Sequence, residues 1–171
     1  GRDTDVRSWY LDLSLLEGYW GEERAYHHTA PITNVYALRE ALRLVAEEGI
    51  EERWDRHLHV AGALKAGLEG MGLEMNAPDE YWLPSLNAVR VPDGADDGEV
   101  ISHLLDNYDL EIAGGLGDLA GDIFRIGCMG HSARPKNVTY LLSALGEALD
   151  ANGADVTPDA GMEAMADKLS D

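Results

Sequence analysis

The chain has 171 residues, the size of one ordinary domain or of a domain plus an arm. Its 32 Asp and Glu against 13 Lys and Arg give a net charge of -19, which excludes binding nucleic acid through a basic stripe and docking on an anionic membrane surface. The single cysteine, Cys128, excludes an internal disulfide and a cysteine-based metal cluster.

No apolar run reaches the roughly 20 residues of a spanning helix, and Gly1–Asp5 lacks the apolar core of a signal peptide, so the expectation is a cytoplasmic protein. Ten of the basic residues are Arg and three are Lys (Lys65, Lys136, Lys168). Scarce lysine beside abundant acid reads as a halophilic protein, in which salt screens the repulsion. The alternative is an acidic protein of an ordinary cell.

Residues 1–31 show no period but carry Trp9, Tyr10, Tyr19, Trp20 and Tyr26. They read as an aromatic arm that packs against something larger. After Pro31, Val35, Leu38, Leu42 and Val45 share one helical face, with Thr33 or Asn34 as N-cap and Gly49 as stop. A second helix is predicted from about Ile50 to Glu69, with Trp54, Leu58, Ala61, Leu64 and Leu68 as its apolar stripe. Leu73–Met75 reads as a short strand and Leu86–Val91 as a firmer one between Pro84 and Pro92. A helix follows on Val100, Ile101, Leu104, Leu105 and Tyr108. Leu110–Ala113 and Ile123–Cys128 read as strands on either side of a glycine-rich loop. Pro135 opens a helix with Val138, Leu141, Leu142, Leu145 and Leu149 inward, closed by Asn152-Gly153. Residues 154–171 are expected to form a marginal, frayed helix from Pro158. The order predicts an α+β fold, a small and mostly antiparallel sheet covered by helices on one face.

The densest polar cluster is Tyr26-His27-His28-Thr29. Adjacent histidines diverge and lack metal-helix spacing, so metal binding competes with a plain polar segment and with recognition of an oxyanion by the Tyr and Thr hydroxyls and nearby backbone N–H groups. Gly114-Gly115-Leu116-Gly117 is neither a phosphate-binding loop ending in Lys-Ser/Thr nor a dinucleotide fingerprint. It reads as a tight turn, or as a turn that also lets a ligand approach its backbone. Strand alternation sets Phe124, Ile126 and Cys128 on the core face and Arg125 on the other. Arg125 is then either a salt-bridge partner or a forked clamp for a substrate carboxylate. Cys128 reads as a small buried hydrophobe. His57, His59, His103 and His131 show no ligand spacing, and Glu47-Glu48 and Glu51-Glu52 read as solvated helix faces.

Together, Ser8-Trp9-Tyr10-Leu11-Asp12, Tyr26-His27-His28-Thr29-Ala30-Pro31, Leu38-Arg39-Glu40-Ala41-Leu42, Ile112–Gly117 and Phe124–Gly130 resemble the class V pyridoxal-phosphate-dependent aminotransferases, most closely the alanine–glyoxylate / serine–pyruvate type. The resemblance runs from about Ser8 to Leu149. It implies the C-terminal small domain of a fold-type I enzyme. Residues 1–31 would be an arm closing the large cofactor domain, 32–153 the domain-joining helix and small domain, and 154–171 an acidic tail.

The resemblance also implies pyridoxal 5'-phosphate as cofactor, small amino acids and 2-oxo acids as substrates, and a homodimer. Arg125 matches the arginine that binds the substrate's α-carboxylate. Tyr26 and Thr29 match residues that reach the cofactor phosphate of the neighbouring subunit, and Gly114–Gly117 would lie beside the substrate entrance. The family's Schiff-base lysine, ring-pairing acid and ring-stacking group lie upstream of the segment matching Ser8, and Lys65, Lys136 and Lys168 do not match that lysine's motif. The chain is thus expected to be the C-terminal part of a transaminase, inactive alone, with the large domain as its missing partner. Two alternatives stay open: a non-catalytic interaction module of the same descent, and another class V reaction such as cysteine desulfuration.

Overall fold

The computed structural model describes residues 4–171. The backbone falls into two compact units, Gly1–Glu47 and Glu48–Asp171.

The first unit holds α1 (Leu13–Trp20) and nearly all of α2 (Ile32–Glu48). Helix α1 was not foreseen. Asp12 caps it, its side chain accepting from the Ser14 N–H at 3.0 Å. Helix α2 starts at Ile32, so Thr33 and Asn34 lie within its first turn rather than capping it. Its predicted apolar face exists, but none of its residues is buried in this chain. Gly49, at φ +89°, stops it as expected, because only glycine takes that conformation without strain.

The second unit is built on α3 (Ile50–Gly70), β1 (Leu86–Arg90), α4 (Asp97–Tyr108), β2 (Ala113–Gly114), β3 (Ile123–Gly127), α5 (Pro135–Ala151) and α6 (Pro158–Ser170). The sheet is antiparallel throughout, in the order β1-β3-β2. Strand β3 pairs with β1 along its whole length, from Leu86↔Gly127 to Arg90↔Ile123, but with β2 only at Ala113↔Arg125 and Gly114↔Phe124. Two predicted strands shrink. Leu73–Met75 contributes one isolated bridge, Met75↔Val89, and Leu110–Ala113 is strand only at its end, continuing into Gly114.

The core lies on one face of the sheet. Val89, Phe124 and Ile126 meet Leu64 and Leu68 of α3, Val100 and Leu104 of α4, and Leu142, Leu145 and Leu149 of α5. Cys128 is buried among them, and the loss of solvent pushes its thiol pKa up. Buried Asn87 accepts from the Trp82 indole N–H at 2.9 Å. The apolar stripe of α3 differs from the predicted one at its start: Trp54 and Leu58 are exposed, and burial begins at Val60.

The last helix corrects the sequence expectation. Helix α6 is not frayed. Gly161 and Met165 are buried, and it crosses α3 where three glycines let the backbones approach. A methyl group on Gly161 would lie 2.6 Å from the Gly67 carbonyl oxygen, and one on Gly70 would lie 2.9 Å from the Ala160 carbonyl oxygen. The weak apolar period of residues 158–170 hid this, because close backbone packing needs small residues rather than large ones.

Candidate functional site

Arg125 sits at the middle of the central strand, on the face away from the helices. Its strand neighbours across the ladder are Ala88 and Ala113, whose short side chains leave room for the long one. Its Nε donates to the Gly114 carbonyl oxygen at 2.6 Å. Among the described residues no carboxylate forms an ion pair with it. One edge of the guanidinium is spent on a backbone carbonyl, and its two terminal nitrogens keep the fork that a carboxylate fits.

The glycine-rich loop serves this arrangement. Gly114 supplies the carbonyl. Gly115 passes so close to the Leu119 carbonyl that a methyl group would stand 1.7 Å from its oxygen, and Gly117 takes φ +59°. Loop closure thus accounts for Gly115 and Gly117.

The strand's exit is held from α3. The Gly130 N–H donates to His57 Nε2 at 2.7 Å, and Arg56 Nη1 donates to the carbonyl oxygens of Gly130 at 3.1 Å and Ala133 at 2.6 Å. Glu48 in turn accepts from Arg56 and Arg53. Hydrogen bonding from Arg56 first, and then from Arg53, holds the Glu48 carboxyl down at about 2, against the desolvation that opposes it. Glu48 is thus no solvated helix-face acid, as the sequence had implied; its side chain is 26% exposed and serves two arginines. Sequence reasoning missed this network because its links span up to 77 residues and end on backbone atoms that no side-chain motif marks.

In the first unit, the Tyr26 hydroxyl and Thr29 Oγ1 lie 3.0 Å apart, and Tyr26 is 72% exposed. Between them, His27 is 4% exposed and stacks edge-on against Trp9 with ring centroids 4.0 Å apart. Its Nε2, like Nδ1 of His28, is buried without a hydrogen-bond partner. The two hydroxyls share one exposed hydrogen bond in which either can donate. Among the described residues no group of three His, Cys, Asp or Glu side chains converges on a metal position. No described helix is long and apolar enough to cross a membrane.

This α+β unit, an antiparallel three-stranded sheet with its helices, matches the C-terminal domain of aminotransferases. The chain is 43% identical over 162 residues to the (S)-ureidoglycine–glyoxylate transaminase of Bacillus subtilis, which it matches over 95% of its own length and 39% of the relative's. It is 41% identical over 152 residues to the alanine–glyoxylate aminotransferase of Felis catus, over 86% of the chain and 37% of the relative. The crystal structure of the B. subtilis ureidoglycine–glyoxylate aminotransferase superposes with a TM-score of 0.94 at 42% identity, over 99% of this chain and 44% of that one. No family model matches. The chain spans about two fifths of the length of the curated relatives it matches, and it is homologous to class V aminotransferases of the alanine–glyoxylate and ureidoglycine–glyoxylate type.

Proposed function

We propose that this chain is the C-terminal part of a pyridoxal-phosphate-dependent transaminase that moves an amino group from alanine or serine to glyoxylate or pyruvate. The observation that carries the reading is Arg125, a cation fixed at Nε by Gly114 on the face of the sheet away from the helices, with no carboxylate partner among the described residues. In this reading residues 1–31 close the large cofactor domain, α2 joins the domains, and the second unit is the small domain with residues 154–171 as its acidic end. A salt-rich cytoplasm suits its net charge of -19.

Arg125 binds the substrate's α-carboxylate through two parallel charge-assisted hydrogen bonds. Holding the carboxylate fixes the α-carbon and presents one face for proton transfer. Tyr26 and Thr29 would hold the cofactor phosphate through hydrogen bonds from their hydroxyls, across a homodimer interface. Bound pyridoxal phosphate supplies an electron sink for the charge that develops at the α-carbon. The chain does not provide the imine-forming lysine: Lys65 pairs with Glu69 and Asp79, Lys168 with Asp171, and Lys136 lies in the first turn of α5. The 171 residues alone are accordingly inactive. The glyoxylate acceptor named in both relatives supports the acceptor assignment, and the B. subtilis relative favours a second donor, (S)-ureidoglycine, on the same site.

The test is kinetic, on the full-length gene product loaded with cofactor. Alanine, serine and (S)-ureidoglycine are each assayed with glyoxylate, before and after Arg125→Ala. Loss of charge-assisted bonds worth about 1.5–3 kcal/mol raises KM for the amino acid roughly 10- to 100-fold. An unchanged KM sinks the assignment of Arg125. Absence of transamination with every donor sinks the reaction.

A further inference from the structure

Resting on the reading of Arg125 as the carboxylate clamp, we propose that His57 is a positioning residue for it, with its unprotonated Nε2 holding the turn through which β3 leaves the sheet.

Strand β3 is held unevenly. On the β1 side it is paired along all five residues, and the Cys128 N–H extends the ladder to the Ser85 carbonyl oxygen at 3.0 Å. On the β2 side only Arg125 and Phe124 are paired. Beyond Cys128 the ladder ends and the chain turns at Gly130, φ +59°, before α5 begins at Pro135. Both polar backbone groups of Gly130 are taken by consecutive residues of α3: the N–H by His57 Nε2 at 2.7 Å, the carbonyl by Arg56 Nη1 at 3.1 Å. Arg56 is itself braced by Glu48.

The tautomer of His57 is fixed from both ends. Nδ1 lies 2.6 Å from the Arg53 carbonyl oxygen, which can only accept, so Nδ1 carries the proton. The Gly130 N–H can only donate, so Nε2 carries the lone pair. The ring is a rigid spacer between a helix carbonyl and a strand-exit amide. No aliphatic residue can do this. Gln offers an acceptor at the reach of Nε2, whereas Asn does not. A fork that must meet both carboxylate oxygens tolerates little displacement, and a misplacement of about 1 Å costs on the order of 100-fold in such sites.

The experiment compares His57→Leu, His57→Gln and Arg125→Ala in the cofactor-loaded full-length gene product, with histidine ¹⁵N spectra of the wild-type protein alongside. His57→Leu is expected to raise KM for the amino acid and the 2-oxo acid about 10-fold with kcat within about twofold, and His57→Gln to recover most of that loss. A merely structural histidine would lower the melting temperature without splitting KM from kcat. If Arg125→Ala raises KM and His57→Leu does not, the positioning role falls while the clamp stands. If Arg125→Ala leaves KM unchanged, the clamp falls and the positioning role with it. Should His57→Leu not fold, the spectra decide: a proton on Nδ1 and a bare Nε2 coupled to the Gly130 amide support the role, and a proton on Nε2 overturns it.

Discussion

The Nε of Arg125 donates to the carbonyl oxygen of Gly114 at 2.6 Å, so the side chain on the central strand is aimed by the backbone of its short neighbour. This division of labour predicts that lysine cannot replace the arginine. Arg125→Lys keeps the charge but loses both the Gly114 bond and the fork. KM for the amino acid should rise by about 10-fold or more, with folding intact. Steady-state kinetics beside a thermal melt checks it, and a lysine variant with wild-type KM would show that charge alone is recognised.

Glu48 sets an acid limb on stability. Its carboxyl pKa is lowered, chiefly by Arg56, from an ordinary value of 4.5 to about 2. Between those values the unfolded chain binds more protons than the folded one, so stability rises with pH there. The contribution is present in full above about pH 4.5 and is lost as pH falls through 2. Glu48→Gln should lower the melting temperature at neutral pH, and its gap to wild type should close between pH 4.5 and pH 2. Melts across that range test it; a gap that stays constant would mean Glu48 contributes nothing through its charge.

How much was legible beforehand depended on the distance over which each feature is decided. Arg125 could be placed on its face from strand alternation alone, because the period of two is local. Helix α5 was legible from Pro135 to Asn152 for the same reason, its apolar spacing being dense. Trp54 and Leu58 were legible as apolar but not as exposed, since periodicity reports which face is greasy and not what covers it. His57 looked idle because its partner is a backbone amide 73 residues away. Helix α6 looked frayed because its contact with α3 is made by glycines, which carry no hydrophobic signal.

The glycines of α3 and α6 separate two effects with opposite signs. Gly62 has only the Lys168 Cε near its missing side chain, at 3.7 Å, so Gly62→Ala should stabilise by about 0.5–1 kcal/mol through helix propensity. Gly161 has the Gly67 carbonyl oxygen at 2.6 Å from the added carbon, and backbone cannot step aside cheaply. Overpacking of about 1–3 kcal/mol there outweighs the same propensity gain. Urea midpoints of the two variants should move in opposite directions. A stabilising Gly161→Ala would show that α6 is not seated against α3 as described.

Charge supplies the last prediction. At -19, with few lysines to offset them, the acids repel one another over a Debye length of about 10 Å in 0.1 M salt but only about 3 Å in 1 M. Self-repulsion favours the expanded chain, so screening it should raise the melting temperature steadily from low to molar KCl. Glu48, Arg53 and Arg56 work the other way, because salt also weakens attraction between partly exposed ions. The net sign follows from the counts, 32 acids against 13 bases, which leave most carboxylates without a cation to lose. Melting curves in KCl and in an equal ionic strength of NaCl should therefore climb together. A flat response would place the protein among acidic proteins of ordinary cells and remove the halophilic reading.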